Sequence, residues 1–241
     1  YYIADGIYGG YAFDDEEQGT DIITIRKATV SGHGTGVGWN DSYGDGNARW
    51  LANISIKSGL LSAWVFLDDY YTLDGVTGGG PGNWTSDYGF VMSDQNMMRY
   101  FILISDKFSY FGQKQNVSHI NISHVEVGGY FGLCGDSQAV NATTGEVSKT
   151  DVNISKVYFH DFSPIVISAQ GGISDWIIEY ASIDHLYSGQ GDQGCHGSLL
   201  RMDYANNVTV RYSNLSNAAG SNWIGAYNGD NHDIFVYGNY F

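Results

Sequence analysis

Apolar and polar residues alternate along Asn207-Val-Thr-Val-Arg-Tyr-Ser-Asn-Leu-Ser-Asn217. Val208, Val210 and Tyr212 are expected on one side and Thr209 and Arg211 on the other, the period of a half-buried strand. An Asn precedes the strand and a polar turn closes it. The unit recurs. Asp175-Trp-Ile-Ile-Glu-Tyr-Ala-Ser-Ile183 lays over it without a gap, placing Trp176 on Val208, Ile178 on Val210, Tyr180 on Tyr212 and Ile183 on Leu215. Lys156–Phe162, His124–Tyr130 and Asp233–Phe241 are further copies. Their inward anchors are Val125, Val157, Ile178, Val210 and Val236, one every ~20–30 residues. A single coil of this kind cannot bury its inward residues, but stacked coils bury them in one column. The pattern therefore predicts an all-β, right-handed parallel β-helix, with loops absorbing the uneven spacing. A β-sandwich also gives many short strands, but seldom repeats such a unit in register.

Upstream the units are less regular. Tyr1–Phe13 reads as two short strands around a Gly turn, and Asp21–Val30 as a strand. Ser31–Trp50 reads as a long Gly/Asp/Asn loop. Asn53–Ile56 and Ala63–Leu67 resume strands, and Leu73–Asn83 is a second loop. Strands follow from Phe90 to Ser109, with Met97-Met-Arg-Tyr100 starting a helical turn. From Asn116 the units are regular to the end. No linker divides the chain, so residues 1–241 are expected to form one domain, within the size of a single all-β unit. Tyr1 is not Met and no signal peptide is visible, as in a mature form or a piece of a longer chain.

Composition narrows the partners. Gly (33) and Tyr (19) are abundant and Pro (2) nearly absent; Gly and Asn best tolerate the positive φ that many turns need. The net charge is −15 and the pI near 4.5. Such a chain repels nucleic acid, and polyanionic sugars too unless a cation bridges. No apolar run is long enough for a membrane span. Cys134 and Cys195 both sit in Gly-rich loops; they either pair across coils or remain two free thiols.

Tyr2-Ile-Ala-Asp-Gly, Ile23-Thr-Ile-Arg-Lys-Ala28 and the Asn-Val-Thr-Val-Arg-Tyr-Ser-Asn unit resemble secreted right-handed parallel β-helix repeat proteins of the pectin-lyase-like fold. The likeness covers nearly the whole chain. It implies the fold and an extracellular or cell-surface location. It does not choose a function, because that family includes lyases, hydrolases, adhesins and fibre proteins.

Nine Asn-x-Ser/Thr sequons stand at Asn40, Asn53, Asn83, Asn116, Asn121, Asn141, Asn153, Asn207 and Asn214, where chance gives about two or three. A β-helix places Asn at turns and Ser/Thr on outward strand faces, so the fold alone makes some of them, Asn153 and Asn207 among these. Asn40, Asn83 and Asn141 are assigned to loops, where a glycan is expected first. Along the outward face, Glu126, Tyr158, Glu179, Arg211 and Tyr237 are placed in one column, with His124, Lys156, Ile177, Thr209 and Phe235 beside it. Glu179 and Arg211 then form an ion pair between rungs. As a sugar-binding face, the same column would stack Tyr158 and Tyr237 on rings, with Lys156 or Arg211 on a carboxylate.

Candidate chemistry is sparse. The loop Asp184–Gly197 gathers Asp184, His185, Asp192 and His196, with Arg201 on the next strand. β-Elimination needs a base and a cation on the enolate, which His196 and Arg201 supply. Hydrolysis needs paired carboxylates, and Asp184 with Asp192 or Asp203 is the local set. Ser31-Gly-His-Gly-Thr35 resembles the Gly-His-Gly of β-helix pectin hydrolases but lacks the preceding Asp pairs. Asn40, Asp41, Asp45 and Asn47 make an oxygen-rich loop of the kind that holds Ca²⁺, although most such loops are simply turns; no other cofactor is expected.

Two functions follow. Dense sequons, weak catalytic groupings and apolar end rungs (Tyr1, Tyr2, Ile234, Val236, Phe241) favour a glycosylated extracellular structural or surface protein that assembles end to end into a filament or adhesin-like array. The alternative is a carbohydrate-active enzyme, foremost a polysaccharide lyase, resting on the fold and the His196/Arg201 loop.

Overall fold

The computed structural model describes residues 1–15, 19–55, 61–93, 99–104, 116–129, 138–143, 149–162, 165–187, 198–219, 222–227 and 229–241. These residues form twenty strands and one 3₁₀ turn, Asp41–Tyr43, with no α-helix among them. Every described strand pairing is parallel except that of Ile54–Ser55 with Leu61–Phe66. No helix among the described residues is long and apolar enough to cross a membrane.

The pairings resolve into three ladders, and the chain visits them in a fixed order. The first ladder begins with Tyr2–Ile3, Ile23–Lys27 and Tyr71–Asp74 and ends with His232–Tyr237. Gly6–Tyr8, Ala48–Trp50 and Phe90–Ser93 open the second. Tyr11–Phe13, Leu61–Phe66 and Arg99–Ile104 open the third. After each visit to the third ladder the chain returns to the first, one rung along. The later strands are long because each serves two ladders: Val117–Gly128 and Lys149–Phe162 join the first to the second, and Ile165–Glu179 and Ser198–Arg211 join the third to the first. This all-β, parallel arrangement is compatible with a parallel β-helix.

Alternation decides what each ladder buries. On the first ladder Ile25, Leu73, Ile122, Ile154, Ile178 and Val210 lie in consecutive register and are all buried. Ile23, Tyr71, Ile120, Val152, Trp176, Val208 and Ile234 form a parallel column two residues away. With Val125, Val157 and Ile183 of the second ladder and Ile102, Val140, Ile167 and Leu200 of the third, they share one continuous core. The spacing varies from rung to rung: cross-rung partners are 49 residues apart at Asp74 and Ser123, 32 at Glu179 and Arg211 and 26 at Ser213 and Asn239.

The predicted stacking of Trp176 on Val208, Ile178 on Val210, Ile183 on Leu215 and Val125 on Val157 is found. The step from Val157 to Ile178 is not. Ile178 pairs with Ile154 on the first ladder, whereas Val157 belongs to the second. The expected outward column divides in the same way: Glu126 and Tyr158 lie on the second ladder, and Glu179, Arg211 and Tyr237 on the first. The cause is a corner of one residue. His124, Lys156, Tyr180 and Tyr212 take φ of 56°, 50°, 50° and 53° between the two ladders. A single left-handed residue bends the chain without a gap in the apolar pattern, so two strands read as one. Tyr212 is consequently exposed instead of pointing inward with Val208 and Val210. A second left-handed column, Tyr70, His119, Asp151, Asp175, Asn207 and Asp233, opens the first ladder on successive rungs. Each such residue costs about 1–2 kcal/mol, and neighbouring rungs offset it. Asn207 donates to Asp175 at 2.7 Å, His119 pairs with Asp151, and the Tyr180 and Tyr212 rings stack at 5.5 Å.

Other local expectations change. Tyr1–Phe13 holds three strands, not two. Arg99 and Tyr100 belong to a strand and not to a helical turn. Asn141 lies in the strand Gln138–Thr143, paired to Leu103 and Ser168, and not in a loop.

Candidate functional site

Among the described residues, a group of titratable side chains gathers on the outer face of the second ladder. Glu126, Tyr158 and His160 project there because their strand neighbours Val125, Val127, Val157 and Phe159 fill the core. Asp161 follows at a left-handed φ of 63°. Asp184 pairs with His160 one rung on. The segment 75–89 supplies a wall. Gly79 crosses Lys156 so closely that a β-carbon on it would lie 2.5 Å from the Lys156 carbonyl oxygen. Tyr88, at the far end of this segment, stacks on Tyr158 at 6.3 Å, and Tyr158 stacks on His160 at 4.3 Å.

Both ring nitrogens of His160 face carboxylates. Nδ1 lies 2.7 Å from Asp161 Oδ2. Nε2 lies 3.5 Å from Glu126 Oε1, an attraction between charges too long for a good hydrogen bond, and the buried Nε2 has no closer acceptor. Burial favours the neutral ring, but the contacts with Glu126 and Asp161 outweigh it and raise the pKa. The Tyr158 hydroxyl is pushed up to about 12, first by burial and then by the charges of Asp184, Asp161 and Glu126. Burial and then Glu126 push Tyr88 up as well. The group therefore sets an imidazole whose charged form is favoured, and two phenols that burial holds protonated, beside the carboxyl groups of Glu126 and Asp161. Asp184 is itself held by Ser216 at 3.1 Å and Asn217 at 2.7 Å.

A pKa raised on folding stabilises the fold fully below the unfolded value, and that contribution is lost as pH rises through the folded one. His160 is therefore expected to make stability decline as pH rises above about 6.5. Thermal melts across this range should show a shallower decline for His160→Gln than for the parent. Parallel curves for the two proteins would show that His160 does not set the dependence.

The residues singled out by sequence separate. Arg201 lies on the outer face of the third ladder and Asp184 on the second, so they do not share a site. Arg201 pairs with Asp203 at 3.7 Å, and its guanidinium lies 5.1 Å from the Tyr227 ring centre. Asp203, the alternative carboxylate partner, also lies on the third ladder. Asp192, His196, Cys134 and Cys195 fall outside the described residues. Glu179 and Arg211 are paired as expected, at 2.7 and 2.8 Å through two guanidinium nitrogens, and Tyr237 accepts from a third at 3.2 Å. Lys156 is a corner residue. Asp41 accepts from the Trp39 indole at 3.1 Å, and neither it nor Asp45 joins a cluster of three His, Cys, Asp or Glu side chains among the described residues. His33 of the Gly-His-Gly stretch stacks on Trp39 at 4.0 Å.

Several sequon side chains already serve the fold. Asn207 joins the corner ladder, Asn53 accepts from the Gly10 amide at 2.7 Å, and Asn40 caps the 3₁₀ turn. Asn83 accepts from Ser86 at 2.6 Å, and Asn214 reaches Ser182 at 3.4 Å. Asn121 and Asn153 are neighbours on the outer face of the first ladder, and Asn116 is exposed. His160 and Asp161 were missed as site residues. Their signal was a charged pair at the end of an otherwise alternating strand, Lys156–Phe162. Compared with protein-family models, curated proteins and solved structures, the chain matches none.

Proposed function

We propose that the chain is a right-handed parallel β-helix that serves outside the cell as a glycan-bearing structural or surface protein and assembles through its end rungs. The distribution of exposed apolar surface carries this reading. Among the described residues, the exposed large apolar side chains stand at or before Leu51 and at or after Tyr204, with none between. Tyr1, at 80 % exposure, and Tyr2 mark one end. Val236, at 43 % although its column is buried elsewhere, and Phe241, at 70 %, mark the other. Ile234 is only partly covered. At the first rung, Tyr1, Ile3, Tyr11, Phe13, Ile25 and Trp50 line an apolar recess of about 240 Å³.

A second copy fits these edges because both belong to the same parallel ladder. Tyr2 pairs with Arg26 at one end and Arg211 with Tyr237 at the other. Continuing the register places Tyr237 of one copy beside Tyr2 of the next. That contact is head to tail and propagates. Net charge and glycans on the sequons oppose sideways association. The test is light scattering and electron microscopy of the 241-residue chain beside Ile234→Lys and Val236→Lys. Fibres lost in both variants are expected; a parent that stays monodisperse defeats the reading. Intact mass before and after deglycosylation reports the sequons in the same preparation, and an unchanged mass would assign them to turn geometry.

A second reading, a carbohydrate-active enzyme, draws support from the Glu126–His160–Asp161 grouping, with Asp184 one rung away. It shifts the acid–base chemistry from His196 and Arg201 to His160, whose Nε2 lacks a close acceptor. Loss of polysaccharide cleavage in a folded His160→Gln protein is its test.

A further inference from the structure

The recess at the first rung combines an apolar depth with an acidic mouth. Phe13, Ile25, Trp50 and Tyr71 are buried around it, and Ile3 and Ile23 are partly buried beside them. The rings are tilted against one another: Tyr11 and Phe13 at 5.1 Å and 59°, Phe13 and Tyr71 at 5.2 Å and 55°. The volume is about 240 Å³. An apolar cavity of about 150 Å³ takes up benzene, so this one has room for two fused rings.

Asp15 and Tyr11 line the same recess and are both exposed, so they stand at its mouth. Tyr71 fixes Asp15 there. The Tyr71 hydroxyl accepts from the Asp15 amide and donates to the Asp15 carbonyl, both at 3.0 Å. These bonds use main-chain groups, so they hold the residue without engaging its carboxylate. The rest of the Tyr71 column is Ile23, Ile120, Val152, Trp176, Val208 and Ile234, and Tyr71 alone brings a phenol to it. Burial, then the charges of Asp15 and Asp14, push the Tyr11 hydroxyl up, as a negative mouth should. The Tyr1 amino group at this rim donates to the Thr24 carbonyl at 2.7 Å.

We infer that the recess binds an arylalkylamine, an aromatic body carrying an ammonium group on a short arm. The ring enters among Phe13, Trp50 and Tyr71, where tilted aromatic packing favours it. The ammonium pairs with the Asp15 carboxylate at the mouth, beside the Tyr11 ring. Charge selects the cation. The whole chain carries −15, so a carboxylate of the same shape meets repulsion that an ammonium does not. A neighbour docked on the first rung would cover this face, so ligand and neighbour exclude each other, but binding does not depend on assembly.

Isothermal titration with tryptamine, tryptophol and indole-3-propionate is the test. The three share an indole and a two-carbon arm and differ in charge. They are titrated into the 241-residue chain and into Ile234→Lys, whose change lies at the opposite end and keeps the recess open should the parent assemble. Saturable binding of tryptamine to Ile234→Lys is expected, about fivefold tighter than tryptophol, with indole-3-propionate weakest. Adding Asp15→Asn, a surface change, should erase the preference for tryptamine and leave tryptophol binding as before. Adding Ile23→Trp, which fills the recess, should remove binding of all three, with the fold checked by circular dichroism. No binding of tryptamine to Ile234→Lys, as when a second copy still occupies the recess, overturns the inference. So does equal affinity for tryptamine and tryptophol, or a preference that survives Asp15→Asn.

Discussion

Replacing Asp5 with Ala is expected to cost about 3–5 kcal/mol, the usual penalty for stripping one partner from a buried ion pair. Lys27 is 1 % exposed, pointing inward at the end of a strand whose neighbours are apolar. Its ammonium pairs with Asp5 Oδ1 and donates to the Ala28 carbonyl at 2.5 Å. Asp5 Oδ2 accepts from the Gly46 amide at 2.6 Å, and the Asp5 amide donates to Tyr43. One carboxylate thus joins the first circuit to the second and fixes the loop between them. Without it, a charge stays in the core with a single carbonyl for company. Thermal unfolding is the measurement, and the midpoint should fall by roughly 10 °C. Asp5→Asn keeps an acceptor for Gly46 but not the charge, and should lose nearly as much. Adding Lys27→Met to Asp5→Ala should recover most of the loss, because the pair matters chiefly through what its breaking leaves behind. An Asp5→Ala protein that melts with the parent would show that Lys27 reaches solvent.

Legibility in the sequence followed one rule. Within a single ladder, alternation identified the inward face and the register: Trp176 on Val208 and Val210 under Val236 needed nothing more. Where the chain turns through a single left-handed residue, the pattern carried no mark. Lys156 and Tyr180 are neither Gly nor Asn, so the corner was invisible and Val157 was matched to Ile178 instead of its own ladder. The same blindness hid the second-ladder site. Glu126 and Tyr158 were assigned to the face of Glu179 and Arg211, which kept them apart from His160 and Asp184. Motif reading looked along the chain for chemistry that parallel stacking assembles across it. Buried charge was equally silent: alternation puts Lys27 on the inward side with Ile25, but the partner that lets a charge stay there, Asp5, is brought to it only by the fold.

Trp176→Ala is the second large effect, expected at about 3–5 kcal/mol. The indole is 1 % exposed, and its register partners are Val152 and Val208. Its Nε1 donates to the Lys149 carbonyl at 3.0 Å. Ala therefore opens a cavity and removes a hydrogen bond at once. Ile177, the next residue, faces outward in register with Asn153 and Thr209, so Ile177→Ala should stay within about 0.5 kcal/mol, as surface changes do. The contrast between adjacent residues tests the alternation directly. If each circuit leans only on its neighbours, the damage should also be directional. Circuits beyond Trp176 would be held to the rest through a weakened rung, while Ile23–Lys27, Leu61–Phe66 and Tyr71–Asp74 keep their own contacts. Hydrogen exchange in Trp176→Ala should rise across Ser198–Arg211 and His232–Tyr237 and remain slow in those early strands. Uniform loss of protection from one end to the other would mean that the chain unfolds as a single cooperative unit, and the stacked-circuit account of its stability would fail.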